Sequence, residues 1–174
     1  TNLQQENADL SSKASQYESE LNRLENSRMA LEDQLKGTGA TVRIKNGAVS
    51  VLLPGAILFD AGQTALRPQS KTTLKKIAGI IKTETAGEIV RIEGHTDNDP
   101  ISRQKDKYKS NWELSAARAA AVLHYMVEEC GVSPTKVYIA GFGQYQAMAD
   151  NKSKTGKAKN RRVEFVIMPR GSGG

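Results

Sequence analysis

The chain has 174 residues, a formal net charge of +6, 38% hydrophobic residues and 25% charged residues, which is enough for one ordinary core plus an appendage. No apolar run approaches the roughly 18 residues of a membrane span, and no charged-then-apolar leader is present. The single cysteine, Cys130, excludes an internal disulfide and a multi-cysteine zinc site. The start at Thr1 and the final "RGSGG" are typical of a piece of a longer protein. We therefore expect any membrane anchor to lie outside it and residues 170–174 to form a disordered tail.

The first 36 residues carry a repeat of seven. They hold seven acids and four bases, whereas the rest of the chain is basic. Two sets of positions four residues apart form the d and a positions of a heptad: Leu3, Leu10, Tyr17, Leu24 and Leu31, and Asn7, Ala14, Leu21, Arg28 and Leu35. We therefore expect a coiled-coil stalk over residues 1–36, and a single Asn at an a position favours a parallel homodimer. The alternative is a lone amphipathic helix lying on the globular domain.

Strands and helices alternate after the stalk. Residues 37–47 predict a linker and the start of a hairpin, with Asn46-Gly47 as its tight turn. "ILFDAGQTALRP" predicts a strand end and a loop, residues 69–84 a helix, and "EIVRIEGHTD" an alternating strand. "KVYIAGFG" and "RRVEFVIMP" predict two further strands joined by a polar loop. This order predicts an α+β fold, a small two-layer α/β sandwich with both helices on one face of a mixed sheet.

The second helix has the clearest signal. In "SNWE", Ser110 is a typical N-cap, and Glu113 is placed to accept a hydrogen bond from the Ser110 amide, which completes a capping box. "CGVSP" ends this helix. Asn111, Ser115 and Arg118 follow at spacings of four and three, so one helix face carries an amide, a hydroxyl and a guanidinium.

The stretch "EGHTDNDPI" ends the strand that precedes this helix. If the helix packs beside the strand, Asp97 and Arg118 stand side by side at one pocket rim. A carboxylate and a guanidinium at a fixed separation complement the ammonium and carboxylate of an amino acid. The alternative is an ordinary ion pair between Asp97 and Arg118 at the surface.

Metal binding and catalysis are weaker interpretations of the same stretch. A metal site at His95, Asp97 and Asp99 needs a further well-placed ligand, and the other histidine, His124, lies in the middle of a predicted helix. We expect no metal and no cofactor, and we expect the His95 ring to hydrogen-bond to nearby backbone. A dyad of Asp97 and Asp99 would suit hydrolysis, but an adjacent arginine keeps an aspartate ionised, the wrong state for a general acid. The chain is therefore not expected to be an enzyme.

Five stretches resemble a known family: "ILFDAGQTALRP", "IEGHTDNDPI", "SNWELSAARAAAVLHYM", "VYIAGFGQYQAMADN" and "NRRVEFVI". In order and spacing they are similar to the OmpA-like C-terminal domain shared by OmpA, the Pal lipoprotein and MotB, over residues 48–168, so we expect a binding domain at 48–169. The resemblance implies non-covalent binding of peptidoglycan through the diaminopimelate of its stem peptide. It also implies the periplasm of a Gram-negative-type envelope, with a missing segment tethering the protein to the outer or inner membrane.

The same resemblance implies roles for individual residues. Asp97 would bind the ammonium of diaminopimelate, and Arg118 would bind its carboxylate. The implied ligand-binding set is Asp97, Arg118, Thr96, Asn111, Leu114, Ser115 and Arg161. Thr96 and Asn111 would supply hydrogen bonds around the ligand.

Leu114 and Ser115 would hold the helix in place, and Arg161, in preference to Arg162, would give a second positive contact. The segment 98–110 is longer than in OmpA or Pal and could cover the pocket or contact glycan.

Two other functions stay open. Within the family, the chain could be the periplasmic part of a MotB-like flagellar stator subunit. Outside it, a coiled-coil assembly protein could bind protein or nucleic acid through the basic run "NKSKTGKAKNRR", residues 151–162. That run lacks interleaved aromatic residues for base stacking and is more typical of a solvated loop, so we expect no nucleic-acid partner.

Overall fold

The computed structural model describes residues 2–85 and 87–169, so the predicted tail at 170–174 lies outside the described residues. The helices are α1 (Asn2–Gln34), α2 (Gly55–Leu58), α3 (Ser70–Glu84), α4 (Asn111–His124) and α5 (Lys154–Asn160). The strands are β1 (Thr41–Lys45), β2 (Ala48–Pro54), β3 (Glu88–His95), β4 (Val137–Gly141) and β5 (Arg162–Pro169). A π-helical turn, Tyr125–Glu129, continues α4.

The five strands form one mixed sheet in the order β1-β2-β5-β3-β4. The β3–β4 pair is parallel and the other pairs are antiparallel. The β1–β2 hairpin turns at Asn46 and Gly47, whose φ angles of 50° and 73° are the left-handed pair that a two-residue type I′ turn requires. The predicted hairpin and mixed sheet are therefore confirmed.

One face of the sheet is apolar and covered by helices. The strand register places Val51, Phe165 and Ile92 side by side across β2, β5 and β3. These residues are buried in one cluster with Leu74 of α3 and Val122 of α4. Both predicted helices thus pack on the same face, and the predicted two-layer α+β sandwich is confirmed.

The last third of α1 and Leu35, which directly follows it, pack on the same apolar face. Leu24, Leu31 and Leu35 are buried in the core cluster together with Val42 of β1 and Val49 of β2. The side chains at three of the predicted heptad positions therefore pack on the domain of their own chain, as in the alternative of a helix lying on the domain. The sequence could not separate the two arrangements there, because a seven-residue stripe fits a partner helix and a sheet equally well.

The rest of α1 stands clear of the domain. Leu3, Leu10, Tyr17 and Leu21 are 58–73% exposed. This row of apolar side chains is the part of the predicted seam that is left for a partner helix. Within the described part of the chain, no helix combines the length and apolar character that a membrane span needs.

Two short helices occupy segments that the sequence predicted as a strand end and as a loop. In "ILFDAGQTALRP", the predicted strand end is the single turn α2, and Phe59 then forms an isolated bridge with Leu66. In the basic run, Ser153 caps α5 by accepting from the Gly156 amide. Asn160 at the end of α5 is fully buried, whereas Lys152, Lys154 and Lys159 are exposed. The segment is therefore solvated as predicted, but it is a short helix and not a loop.

Candidate functional site

The candidate site lies where β3 ends, at the carboxyl edge of a parallel strand pair, the usual place for ligands in α/β sheets. Asp97 is buried there, 6% exposed, and its Oδ1 accepts from the Asp99 amide at 3.0 Å. The Thr96 amide donates to the Gly143 carbonyl at 2.9 Å, and the Thr96 hydroxyl donates to the Asp97 carbonyl. The loop that carries Asp97 is therefore held by backbone-directed bonds on both sides.

Helix α4 starts beside this loop and approaches β3 closely. A Cβ added at Gly94 would lie 2.0 Å from the Ser115 carbonyl oxygen, so glycine is required for the helix to sit where it does. Ser110 caps the helix and accepts from the Glu113 amide, as predicted. The return bond differs: the Glu113 carboxylate accepts from the Lys109 amide at 2.8 Å, one residue before the expected Ser110.

Arg118 projects from the second turn of α4 into the site. It is 8% exposed, its guanidinium lies 5.2 Å from the centroid of the Phe59 ring, and its Nε donates to the Gln63 carbonyl at 3.1 Å. Burial lowers the pKa of Arg118, and the nearby charge of Asp97 opposes that shift. Among the described residues Arg118 makes no ion pair, so the alternative of an Asp97–Arg118 surface pair is wrong.

Asp97 pairs instead with Arg161, which is 64 positions away in sequence. The Arg161 side chain is 40% exposed and lines the same cavity as Arg118. Arg162 points to the opposite face of the sheet, where its side chain is 3% exposed and bonds to Glu164 at 2.6 Å. Of the two arginines, Arg161 is thus the one at the site.

The cavity around these charges encloses about 130 Å³. Six of the seven predicted residues line it: Thr96, Asp97, Asn111, Leu114, Arg118 and Arg161. Ser115 does not, because its hydroxyl donates to the Trp112 carbonyl and accepts from the Gly143 amide. Ser115 therefore fixes the turn after β4 to the helix.

Asn111 lines the cavity and also holds the neighbouring loop in place. Its Nδ2 lies 3.0 Å from the Asp99 carbonyl and 3.0 Å from Gln144 Oε1. A third, longer contact of 3.4 Å reaches the Asp97 carbonyl. Its amide donor thus serves the loop, and the predicted hydrogen bond from Asn111 to a ligand stays a prediction.

The segment 98–110 closes one side of the cavity. Arg103 Nη1 donates to the Ala61 carbonyl at 3.3 Å, and Gln104 Nε2 donates to Gln63 Oε1 at 2.6 Å. Lys157 of α5 lies 2.6 Å from Asp99 at the other end of the segment. This longer loop therefore bridges to residues 61–63 and narrows the entrance to Arg118, as the sequence indicated it could.

His95 lies on the other face of the sheet and not beside Asp97. Its Nε2 is 3.1 Å from the Glu93 carboxylate, and its ring stacks on Phe142 at 5.2 Å. The expected backbone partner is wrong, since the ring bonds to a carboxylate. Burial lowers the pKa of His95 and so favours the neutral imidazole.

A group of three potential metal ligands does occur there: Glu93, His95 and Glu164 lie within 4.8 Å of one another. The predicted set of His95, Asp97 and Asp99 was different. Four cations already contact the two glutamates of this group: Arg43, Lys45, Arg91 and Arg162. The donor set is thus neutralised by protein cations, which does not fit a metal ion.

The fold and the cavity together define a small α/β binding domain whose charged pocket lies off the end of its central strand. The chain belongs to the OmpA family, which matches residues 58–161. It is 32% identical to Motility protein B of Bacillus subtilis over 82% of this chain and 50% of that protein. The chain spans about half the length of the curated relatives it matches.

Two solved structures of other proteins have a similar fold. A putative MotB-like protein of Desulfovibrio vulgaris superposes with a TM-score of 0.76 at 26% identity, over 88% of this chain and 93% of that one. The cell wall anchor of the type VI secretion system of Pseudomonas aeruginosa gives a TM-score of 0.69 at 30% identity, over 80% and 94%.

Proposed function

We propose that the pocket binds peptidoglycan non-covalently through the diaminopimelate of the stem peptide. The observation that carries the proposal is Arg118: a buried guanidinium that opens into a cavity and has no carboxylate partner among the described residues. A buried cation without an anion is costly, so a pocket built around one indicates an anionic ligand group. The Asp97 carboxylate in the same cavity supplies the complementary charge for an ammonium.

The expected binding mode uses both charges. The ligand carboxylate accepts hydrogen bonds from the terminal N–H groups of Arg118, because the Nε–H group already donates to the Gln63 carbonyl and the Phe59 ring lies beside the guanidinium. The ligand ammonium donates to Asp97, which has acceptor capacity beyond its bonds to Arg161 and Asp99. Arg161, half exposed at the rim, is then free to turn toward a second ligand carboxylate.

The other predicted residues act around this pair. The Thr96 hydroxyl bonds within the 96–99 loop, and Asn111 ties that loop to α4; both can exchange those bonds for ligand bonds. Leu114 forms part of the apolar wall, and Ser115 keeps the helix and the turn after β4 together.

The test is binding of the full chain to purified sacculi. Asp97→Asn keeps the shape and removes the charge, and Arg118→Lys keeps the charge and removes the planar fork. We expect both to lose most of the binding while the unfolding midpoint changes little. The matched controls are Asp33→Asn and Lys36→Arg, in an exposed ion pair at the end of α1. Full binding by both pocket variants would refute the site.

Ligand identity is tested with two stem peptides. Diaminopimelate has an ammonium and a carboxylate at the end of its side chain, whereas lysine at the same position lacks the carboxylate. Arg118 would then face no anion, and calorimetry should show weaker binding by roughly 1.5–3 kcal/mol, the size of a charged hydrogen bond. Equal affinities would show that Arg118 is not a carboxylate receptor.

The wider role that we propose is a non-enzymatic anchor of an envelope protein to the cell wall, in the periplasm of a Gram-negative-type envelope. The similarity to Motility protein B and to a cell wall anchor supports this role, and it favours a MotB-like stator subunit as the parent protein. A parent of that kind requires an ionisable residue in a membrane helix upstream of this segment, which its complete sequence would show.

We further propose a division into a stalk at 1–36, a linker at 37–47 and a binding domain at 48–169, with dimerisation through the exposed part of the stalk. Leu3, Leu10, Tyr17 and Leu21 form an exposed apolar row at heptad spacing. Leu10→Asp should give a monomer in sedimentation equilibrium, whereas Ser12→Asp, off the row, should leave the dimer intact. Loss of the dimer should also weaken sacculus binding, because a second site no longer adds avidity. A monomeric parent chain would refute the dimer.

A further inference from the structure

A pair of aromatic rings lies exposed next to the peptide pocket. The rings of Trp112 and Tyr145 stack with centroids 4.7 Å apart and planes 24° from parallel. Trp112 is 48% exposed and Tyr145 is 61% exposed, so neither ring is buried in the hydrophobic core. Two adjacent exposed aromatic residues are uncommon on a soluble domain and are typical of recognition surfaces.

The positions of the two rings are fixed by the elements that carry them. Trp112 lies in the first turn of α4, and Tyr145 lies in the turn after β4, where its amide donates to the Phe142 carbonyl. That turn is fixed to the helix by the bond from the Gly143 amide to Ser115 at 2.9 Å. Because both rings are positioned before any ligand arrives, little conformational entropy is lost when one binds.

The rings form one wall of a cavity of about 590 Å³. Its other lining groups are mainly polar or charged: Asn98, Lys105, Tyr108, Lys109, Ser110, Asn111 and Gln144. A flat aromatic face surrounded by hydrogen-bonding side chains matches a pyranose ring. The C–H groups on one face of the sugar pack on the aromatic ring, and its hydroxyl and acetamido groups at the edge meet the polar rim.

This cavity is continuous with the peptide pocket. Pro100, Ile101 and Asn111 line both. The Asn111 amide also joins them directly, since its Nδ2 bonds to the Asp99 carbonyl on one side and to Gln144 on the other. The separation between the charged pocket and the aromatic wall is therefore fixed by one side chain.

We propose that Trp112 and Tyr145 form a subsite for a sugar ring of the glycan strand, so that the domain binds the sugar and the stem peptide at the same time. The inference rests on the proposed function, because it takes peptidoglycan as the ligand. The stem peptide of peptidoglycan is attached to an amino sugar of the strand. A few extended residues at about 3.3–3.6 Å each then place that sugar within reach of a neighbouring cavity.

The test compares three probes by calorimetry on the full chain: a diaminopimelate tripeptide, the same tripeptide attached to its N-acetylated disaccharide, and the disaccharide alone. Trp112 is the single tryptophan of the chain, so its fluorescence reports occupancy independently. We expect the disaccharide peptide to bind about tenfold more tightly than the free peptide, the gain of one aromatic stacking contact. Binding of the disaccharide peptide should also shift the tryptophan emission.

Four variants assign that gain. Trp112→Ala and Tyr145→Ala should remove it and leave the affinity for the free peptide unchanged. Trp112→Phe keeps an aromatic face and should retain most of the gain. Tyr138→Ala removes an exposed ring on β4, away from both cavities, and should have no effect.

Each other outcome decides between the two proposals. Equal affinities for peptide and disaccharide peptide, or an equal loss of both in Trp112→Ala, would overturn the sugar subsite and leave the peptide pocket standing. Failure of the free peptide to bind, with disaccharide binding that needs Trp112, would overturn the peptide pocket alone. Tight binding of a single-stranded deoxythymidine oligomer that Trp112→Ala abolishes would make the rings a base-stacking surface and overturn the inference.

Discussion

Two clusters of buried charge lie on opposite faces of the sheet, and they differ in how their charges are matched. On the face of the sheet opposite the helices, Glu93 and Glu164 are at most 1% exposed. Both of their carboxylates form ion pairs with arginine, lysine or histidine side chains. In the pocket, Arg118 is nearly as buried but makes no ion pair in the described part of the chain. In the matched cluster the charges are paired within the chain, whereas the unmatched one leaves the Arg118 cation for a ligand's charge.

The largest effect should come from breaking the matched cluster. Glu164→Gln leaves Arg162 and Arg43 without their shared anion, and we expect a loss of about 3–5 kcal/mol in the free energy of unfolding. Urea denaturation measures it. Glu88→Gln is the control, because its 3.7 Å pair with Arg23 is partly exposed and should contribute less than about 1 kcal/mol. Similar losses in both variants would show that burial does not distinguish the two sites.

The matched cluster should also set the acid stability. Burial tends to raise the pKa of Glu164, but the charge of Arg162 and the hydrogen bonds from Arg43 and Arg162 outweigh it and lower the pKa from 4.5 to about 2. The folded state therefore binds this proton less readily than the unfolded chain. The resulting stability is present above pH 4.5 and is lost as the pH falls toward 2, by about 3 kcal/mol in total.

Unfolding curves measured at intervals from pH 6 to pH 2 should show this decline in the parent chain. In Glu164→Gln the decline should be shallower, because the group that takes up the proton is gone. An unchanged slope would mean that other carboxylates set the acid limit.

The unmatched cluster should respond in the opposite sense. Arg118→Met replaces an unpaired buried cation by an apolar side chain of similar length, so we expect stability to stay within about 1 kcal/mol or to increase, while peptide binding is lost. Arg162→Met, the same substitution on the other face, should cost several-fold more stability because the buried Glu164 loses its nearest cation. Equal costs would show that Arg118 has a structural role.

The smallest effect is expected at the pocket rim. Lys157 bonds to Asp99 at 2.6 Å, but both side chains are partly exposed, at 28% and 56%. Lys157→Ala should change the free energy of unfolding by less than about 1 kcal/mol. Because Asp99 belongs to the loop that holds Asp97, calorimetry should still register a modest loss of affinity. Lys76→Ala, on α3, is the control for the charge alone.

The parts of the fold that depend on local signals could be predicted from the sequence. Asn46-Gly47 fixed the hairpin and Ser110 fixed the start of α4, because a turn type and a helix cap each depend on a few adjacent residues. The return bond of Glu113 could not be located to the residue, since a flexible carboxylate reaches the Lys109 and Ser110 amides equally well.

The parts that depend on tertiary contacts could not be predicted. Helix α5 has seven residues with a glycine among them, a poor helix former alone. It is held by Asn160, whose Oδ1 accepts from the Met148 and Ala149 amides.

The ion pair of Asp97 with Arg161 required knowing that β5 pairs with β3, because the two residues are far apart in sequence. The family resemblance implied one arginine of "NRR" at the ligand, and strand parity read from the sequence did not decide between Arg161 and Arg162.

The packing of α1 also determines how tension would pass through the molecule. A helix of 33 residues is about 50 Å long, so the exposed first two thirds form a stiff rod and not a slack tether. A pull on its far end is borne first by the apolar contacts of Leu24, Leu31 and Leu35 on the sheet. Only when those contacts separate does the load reach β1, an edge strand held by one neighbour. Strands β5 and β3, which carry the proposed wall-binding pocket, lie behind both and are strained last.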